Sequence, residues 1–200
     1  LRINMKIAAL TSMLVLLALT NCWAVQPYTP VHPDPVLEPW RWRSFPELKG
    51  LGLQCLAEDR NGNIWFGINH GVMRYDGINW TSYPTSLSGG PVQSLCATRD
   101  GRLYAGTALG ISRFRDGQWD RVFPNEGACQ VFDLLEASDG SLWAGTSLGA
   151  IHFSEEQIRL YTTDSLRTAR PELDVTFVML PEGAENQVYD VYEDKDGRMW

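Results

Sequence analysis

Arg167 and Arg170 stand three residues apart in a polar stretch that runs from 162 to 186, "TTDSLRTARPELDVTFVMLPEGAEN". A guanidinium offers a planar fork of donors, so either could hold a uronate carboxylate or sulfate oxygens bidentately. Other reactive groups are sparse. Of the three histidines, His32 lies in a Pro-rich segment, and His70 and His152 have no second imidazole at metal-ligand spacing. No zinc site and no cofactor are therefore expected. No Gly-x-Ser-x-Gly elbow marks a nucleophile, so no catalytic residue is assigned. "DRNGN" (59–63) resembles a calcium loop but lacks the downstream Glu. Cys55, Cys96 and Cys129, apart from Cys22 near the N-terminus, form neither a metal clamp nor an even disulfide set, and read as small buried hydrophobes.

Those residues need elements to hold them, and the composition points to many short ones. Eighteen Gly, eleven Pro and eight Trp in 200 residues favour strands and turns over long helices. The formal net charge of −7 argues against a nucleic-acid partner in this segment, since phosphate binding wants clustered Lys and Arg. Residues 1–24 read as a secretory signal peptide: Lys6 precedes the apolar "IAALTSMLVLLALT", and Ala24 follows as a cleavage position. Its removal takes Arg2 and Lys6, leaving 15 basic against 24 acidic residues and a net charge of −9. An uncleaved leader would instead act as a membrane anchor. "LTNC" at Cys22 is similar to a lipoprotein box, with Asn21 where a small residue is usual. Residues 25–39 form a Pro-rich lead-in.

Beyond the leader the chain repeats itself. "NGNIWFGINHGVMRY", "DGRLYAGTALGISRF" and "DGSLWAGTSLGAIHF" begin at Asn61, Asp100 and Asp139, and "DGRMW" begins at Asp196. The offsets of 39, 39 and 57 give a period of about 39 residues with one insertion of 18. Each unit carries an apolar first strand, an Asn-Gly or Asp-Gly hairpin turn, a second strand ending in Gly, a Gly reversal, and two further strands. Four antiparallel strands per unit predict an all-β fold, a partial β-propeller built of four-stranded antiparallel blades. Blades are expected at about 53–91, 92–129 and 130–161, with an insertion at 162–186 and the start of another blade at 187–200. "WRWRSF" (40–45) is expected as the outer strand of a blade, making 40–200 an incomplete propeller and the chain the front part of a longer one. The Gly and aromatic residues of the repeat are assigned to turns and to the seams between blades.

"EDRNGNIWFGINHGVMRYDGINWTSY" resembles the two-component regulator propeller repeat, with Asp59, Gly62, Trp65, Gly67, Gly71, Arg74, Tyr75, Asp76 and Gly77 in register. The second unit departs at Tyr104, where Trp is usual, and the third has Glu155-Glu156 in place of the Asp-Gly turn. The resemblance covers about residues 40–200. It implies the extracytoplasmic, periplasmic sensor of a bacterial signalling protein, whose absent C-terminal part would hold a membrane helix and a histidine kinase, a diguanylate cyclase or a DNA-binding module.

Propeller ligands usually sit on the face that carries the loops between second and third strands. That places Asn69, His70, Leu109 and Leu148 as candidate contacts for a small molecule or carbohydrate, with Arg167 and Arg170 from the insertion. Homodimer packing is the competing use of the insertion. The alternative functions are a secreted carbohydrate-binding or scaffold propeller without an output domain, and a propeller glycan lyase or hydrolase.

Overall fold

The computed structural model describes residues 43–83, 90–154, 157–170, 173–181 and 186–200. The signal-peptide and lead-in assignments lie outside these residues. The chain divides into two units, Leu1–Phe45 and Pro46–Trp200. In the first, the Arg43 guanidinium lies over the Phe45 ring at 5.2 Å. Residues 43–45 form no strand, and 40–42 of the anticipated outer strand lie outside the described residues.

The second unit is three sheets in series. The first blade holds β1 (Cys55–Glu58), β2 (Ile64–Ile68), β3 (Gly71–Tyr75) and β4 (Trp80–Tyr83), in that order. The second holds β5 (Ser94–Ala97), β6 (Leu103–Thr107), β7 (Gly110–Arg115) and β8 (Gln118–Phe123). The third holds β9 (Val131–Glu136), β10 (Leu142–Thr146), β11 (Gly149–Phe153) and β12 (Ile158–Thr162). Within each blade the neighbours are antiparallel, as the hairpin spacing requires. Residues 186–200 begin a fourth copy of the unit, with a Glu193–Met199 bridge and reciprocal backbone bonds between Tyr192 and Trp200.

The insertion departs from the repeat. It forms a short helix, α1 (Asp164–Ala169), and one strand, β13 (Thr176–Met179), which pairs parallel to β12. The third sheet therefore has five strands. The strand β13 lies within the apolar run Val175–Leu180. It finds its partners on the open edge of β12, where unpaired backbone groups are already presented.

Blades stack face to face, so the middle strands are covered on both sides. All five residues of β6 are buried, whereas inner β1 and outer β8 keep exposed positions. Continuous apolar runs in the second strands follow from that two-sided burial. One apolar cluster, with Trp65, Val72, Val92, Leu103 and Trp119, joins the first and second blades. Another, with Tyr104, Ile111, Val131, Ile151 and Leu160, joins the second and third.

The repeated second-strand glycines set the approach of neighbouring blades. A Cβ on Gly67 would lie 2.8 Å from the Val92 carbonyl oxygen, one on Gly106 2.6 Å from Val131 Cγ1, and one on Gly145 2.6 Å from the Val188 carbonyl oxygen. Val92, Val131 and Val188 occupy the same position in successive units, so one contact is made three times. Gly110, in the reversal between β6 and β7, has φ +140°, and a Cβ there would meet the Phe123 carbonyl.

A second tie recurs along the array. The Arg60 Nη1 donates to the Asp100 carbonyl at 2.9 Å. Thirty-nine residues on, the Arg99 backbone N–H and Nε donate to Glu136 at 2.9 and 3.1 Å, and its Nη2 bonds the Ala137 carbonyl. Another 39 residues on, the Ser138 N–H and hydroxyl donate to Glu193 at 2.7 and 2.5 Å. Each bond runs from one blade to the next.

Candidate functional site

The β2–β3, β6–β7 and β10–β11 loops lie at the end where the chain crosses between blades. The crossing is held there by Val92 N–H on the Ile68 carbonyl (3.1 Å), Ser147 N–H on Gln130 (2.9 Å) and Val188 N–H on Thr146 (2.9 Å). Amide side chains gather along the inner strands at this end. Gln54 Nε2 donates to Asn69 Oδ1 at 3.1 Å, and Gln130 Nε2 donates to Gln93 Oε1 at 3.4 Å. Phe132 and Tyr189 pack at 4.7 Å between ring centroids, and the Tyr189 hydroxyl bonds Gln187 Oε1 at 2.5 Å. Tyr189 is 63% exposed. Such a mouth offers amide donors and acceptors beside an open aromatic face.

The six candidate residues are used in different ways. Asn69 is engaged with Gln54, and His70 is exposed beside it. Leu109 is half-buried, and its carbonyl accepts from Arg121 Nη2 at 3.0 Å. Leu148 is a core residue, buried with Cys129 and Val131, and offers no side chain to solvent. Arg170 caps α1, and its Nη1 reaches the Ala128 carbonyl at 3.5 Å, tying the insertion to the loop before β9. Arg167 is exposed on α1. Leu109, Arg121, Ala128 and Arg170 thus form one connected rim, and Arg167 stands outside that bonding.

The amide row was absent from the sequence reading, although a signal existed. Gln54 and Gln93 are 39 residues apart, and Phe132 and Tyr189 are 57 apart, so each pair is one repeat position seen twice.

Chemically the site is quiet. Among the described residues, no three His, Cys, Asp or Glu converge as metal ligands. Asp59, at the head of the calcium-like run, spends its oxygens on the chain itself. It accepts from Asn61 N–H (2.9 Å), Asn63 N–H (3.1 Å) and Trp65 Nε1 (2.8 Å). Among the described residues, Cys96 and Cys129 are buried and Cys55 is half-buried, none in a disulfide: burial pushes Cys55 up to about 12 and Cys96 and Cys129 up to about 11. Such thiols are poor nucleophiles. On the inner strand β9, Asp133 accepts from Val191 N–H at 3.3 Å. Burial first, and the neighbouring Asp190 second, raise its carboxyl above the ordinary value.

Comparisons with known proteins agree with this geometry. A search of curated proteins gives no match. Among solved structures, the chain is similar to the extracellular domain named as that of the hybrid two component system BT3049 from B. thetaiotaomicron. The identity is 23% and the TM-score 0.58, over 84% of this chain and 23% of that one. It is also similar to virginiamycin B lyase from Staphylococcus aureus, solved in a catalytically inactive form with quinupristin, at 17% identity and TM-score 0.57. That match covers 76% of this chain and 49% of the lyase. PorZ, a surface component of the type-IX secretion system of Porphyromonas gingivalis, matches at 14% identity and TM-score 0.51, over 81% of this chain and 28% of PorZ. These likenesses establish the fold, and the chain spans less than half the length of each of these structures. Residues 48–70, 86–108 and 182–200 match the family model described as two component regulator propeller, so the first, second and fourth units carry repeats of that kind.

Proposed function

We propose that this chain is the ligand-perceiving propeller of a bacterial two-component-type signalling protein, exported by its leader and continued by further blades and an output module. The observation that carries the reading is the family match in the first, second and fourth units, in an array of blades that offers an open polar and aromatic mouth. The signal peptide at 1–24 supports an extracytoplasmic location. The ligand is a small molecule or carbohydrate that lies over the inner strands near Gln93, Gln130 and Tyr189. The Leu109–Arg121–Ala128–Arg170 rim couples that mouth to the insertion.

Reading the coding sequence past Trp200 tests the architecture. Further repeats, a membrane helix and a kinase or cyclase are expected; an early stop after ring closure would favour a scaffold propeller instead. Fusion of residues 1–200 to a reporter active only outside the cytoplasm tests the location, and an inactive, cytoplasmic fusion would overturn it.

A further inference from the structure

Two seams between the same kinds of strand are built from different residues. Between the first and second blades, four rings interlock. Trp65 packs on Tyr83 (5.5 Å), Phe114 (5.0 Å) and Trp119 (6.5 Å), and Phe114 packs on Trp119 (5.1 Å). Thirty-nine residues on, the corresponding positions are Tyr104, Val122, Phe153 and Ile158. Strand register confirms the equivalence: Phe114 pairs with Trp119, and Phe153 pairs with Ile158. The one ring contact across this second seam, among the described residues, is Tyr104–Phe153 at 6.5 Å.

Leu166, Val175 and Phe177 of the insertion pack against the same cluster as Val122, Phe153 and Ile158. A cleft of about 1170 Å³ opens between the second and third blades, and Tyr104, Val122, Phe153 and Ile158 all line it. Val175 and Thr176, at the start of β13, supply another wall. Both departures from the repeat, the smaller seam residues and the inserted strand, therefore meet at one place.

The cleft also holds polar atoms without partners. Arg113 and His152 line it, and their Nε and Nδ1 atoms, just beneath its surface, are shielded from water and make no hydrogen bond. Arg74, the equivalent of both in the first blade, also lacks a partner at Nε, but its guanidinium rests 5.8 Å over the Trp65 ring. His152 is held against Trp143 at 4.6 Å, so its position is fixed. Three acids stand at the rim, Asp100, Asp139 and Asp174, and the first two are already engaged. Asp100 takes Thr98 Oγ1 and Arg102 Nε, and Asp139 takes the Ser141 N–H and hydroxyl. Compared with the first seam the cleft has two rings fewer, and Arg113 Nε and His152 Nδ1 have no acceptor.

We infer that the seam between the second and third blades is a binding site for a planar aromatic or heteroaromatic carboxylic acid, whose ring occupies the space filled by Tyr83 and Trp119 in the first seam and whose carboxylate meets Arg113 and His152. Removing large side chains from a packed interior leaves space that takes up small aromatic molecules. A carboxylate on two unpaired donors adds charge-assisted hydrogen bonds and direction. This site is separate from the channel mouth and does not depend on the sensor reading.

Calorimetric titration of the full chain with indole-3-carboxylate, neutral indole and cyclohexanecarboxylate tests it. Indole-3-carboxylate is expected to bind most tightly, and cyclohexanecarboxylate least. Arg113→Met should weaken the indole acid about tenfold and leave neutral indole unchanged. Ile158→Trp, which restores the first seam's residue, should abolish binding of both indoles; Val122→Phe does the same job should the Trp variant fail to fold. Absence of binding by indole-3-carboxylate at about 1 mM, or binding that survives both Arg113→Met and the ring-restoring variants, would overturn the assignment.

Discussion

Trp65 donates its indole N–H to the Asp59 carboxylate at 2.8 Å, and Trp200 does the same to Asp194 at 3.0 Å. The pair spans six residues and ties the hairpin turn to the aromatic of the second strand. In the second unit both partners change together, to Thr98 and Tyr104. In the third, Ala137 replaces the acid, and Trp143 stacks on His152 and Tyr161 instead.

This pairing gives a first prediction. Asp59→Ala should cost about 2 kcal/mol, because it orphans a buried indole N–H and two turn amides together. Trp65→Phe should show strong non-additivity with it in a double-mutant cycle followed by urea unfolding. Additive losses would mean that the turn and the ring act independently.

Turn carboxylates also set the acid limit. At Asp59, burial alone would raise the pKa, but hydrogen bonds from Trp65, Asn63 and Asn61 outweigh it and hold the carboxyl below 3.8. At Asp139 the Ser141 hydroxyl and amide lower it as well. Groups depressed in the folded state stabilise it fully above their unfolded pKa, and the contribution is lost as pH falls through the folded value. Thermal midpoints should therefore hold down to about pH 4 and fall steeply below it, and Asp59→Asn should flatten that fall.

Asp133 behaves in the opposite sense. Its carboxyl is raised by burial and by Asp190, so its charged form costs stability as pH rises through the folded value. Asp133→Asn keeps an oxygen for the Val191 N–H and removes the charge. The variant should be more stable than the native chain at pH 7, and the gain should vanish as pH falls below the ordinary carboxylate range. A gain that is independent of pH would show that charge is not the cause.

Seam glycines should tolerate no side chain. Gly67→Ala and Gly145→Ala each bring a Cβ under 3.0 Å from a backbone carbonyl of the following blade, an atom that cannot swing aside. A loss of about 2–3 kcal/mol is expected for each from overpacking, measured by chemical denaturation. Gly62→Ala, where a Cβ meets nothing within 4 Å, isolates the separate cost of its φ of +78°.

Thiol chemistry gives an independent reading of burial. Cys96 and Cys129 are buried, and their thiols stay protonated at neutral pH. An aromatic disulfide reagent should leave them unreacted in the folded chain at pH 8 and titrate them after unfolding. Fast reaction without denaturant would mean that the seams open.

Much of the architecture was legible because the repeat states it several times. Asn61, Asp100 and Asp139 each mark a turn, and the strand order follows from those anchors. The third blade's last turn lacks the Asp-Gly pair, and Ser154 and Gln157 close it through a 3.1 Å backbone bond and the Ser154 hydroxyl. What could not be read was the fate of the insertion. Nothing in "DVTFVML" says that its partner is the edge of β12, since strand pairing depends on which edge lies open nearby. The burial of Leu148 was hidden for a related reason. Its loop position suggests exposure, but its side chain turns back beneath the loop into the cluster around Cys129 and Val131.

The blade-to-blade bonds of Arg60, Arg99 and Ser138 all run in one direction. Each blade therefore has a giving face and a receiving face, and these two differ. In the language of assemblies the contact is heterologous, as between head-to-tail subunits rather than two-fold-related ones. A module of this kind matches a copy of itself wherever it is placed. Duplication of a 39-residue gene segment would then lengthen the array without requiring a new interface, and the rotation per copy alone would decide when the series returns to its start.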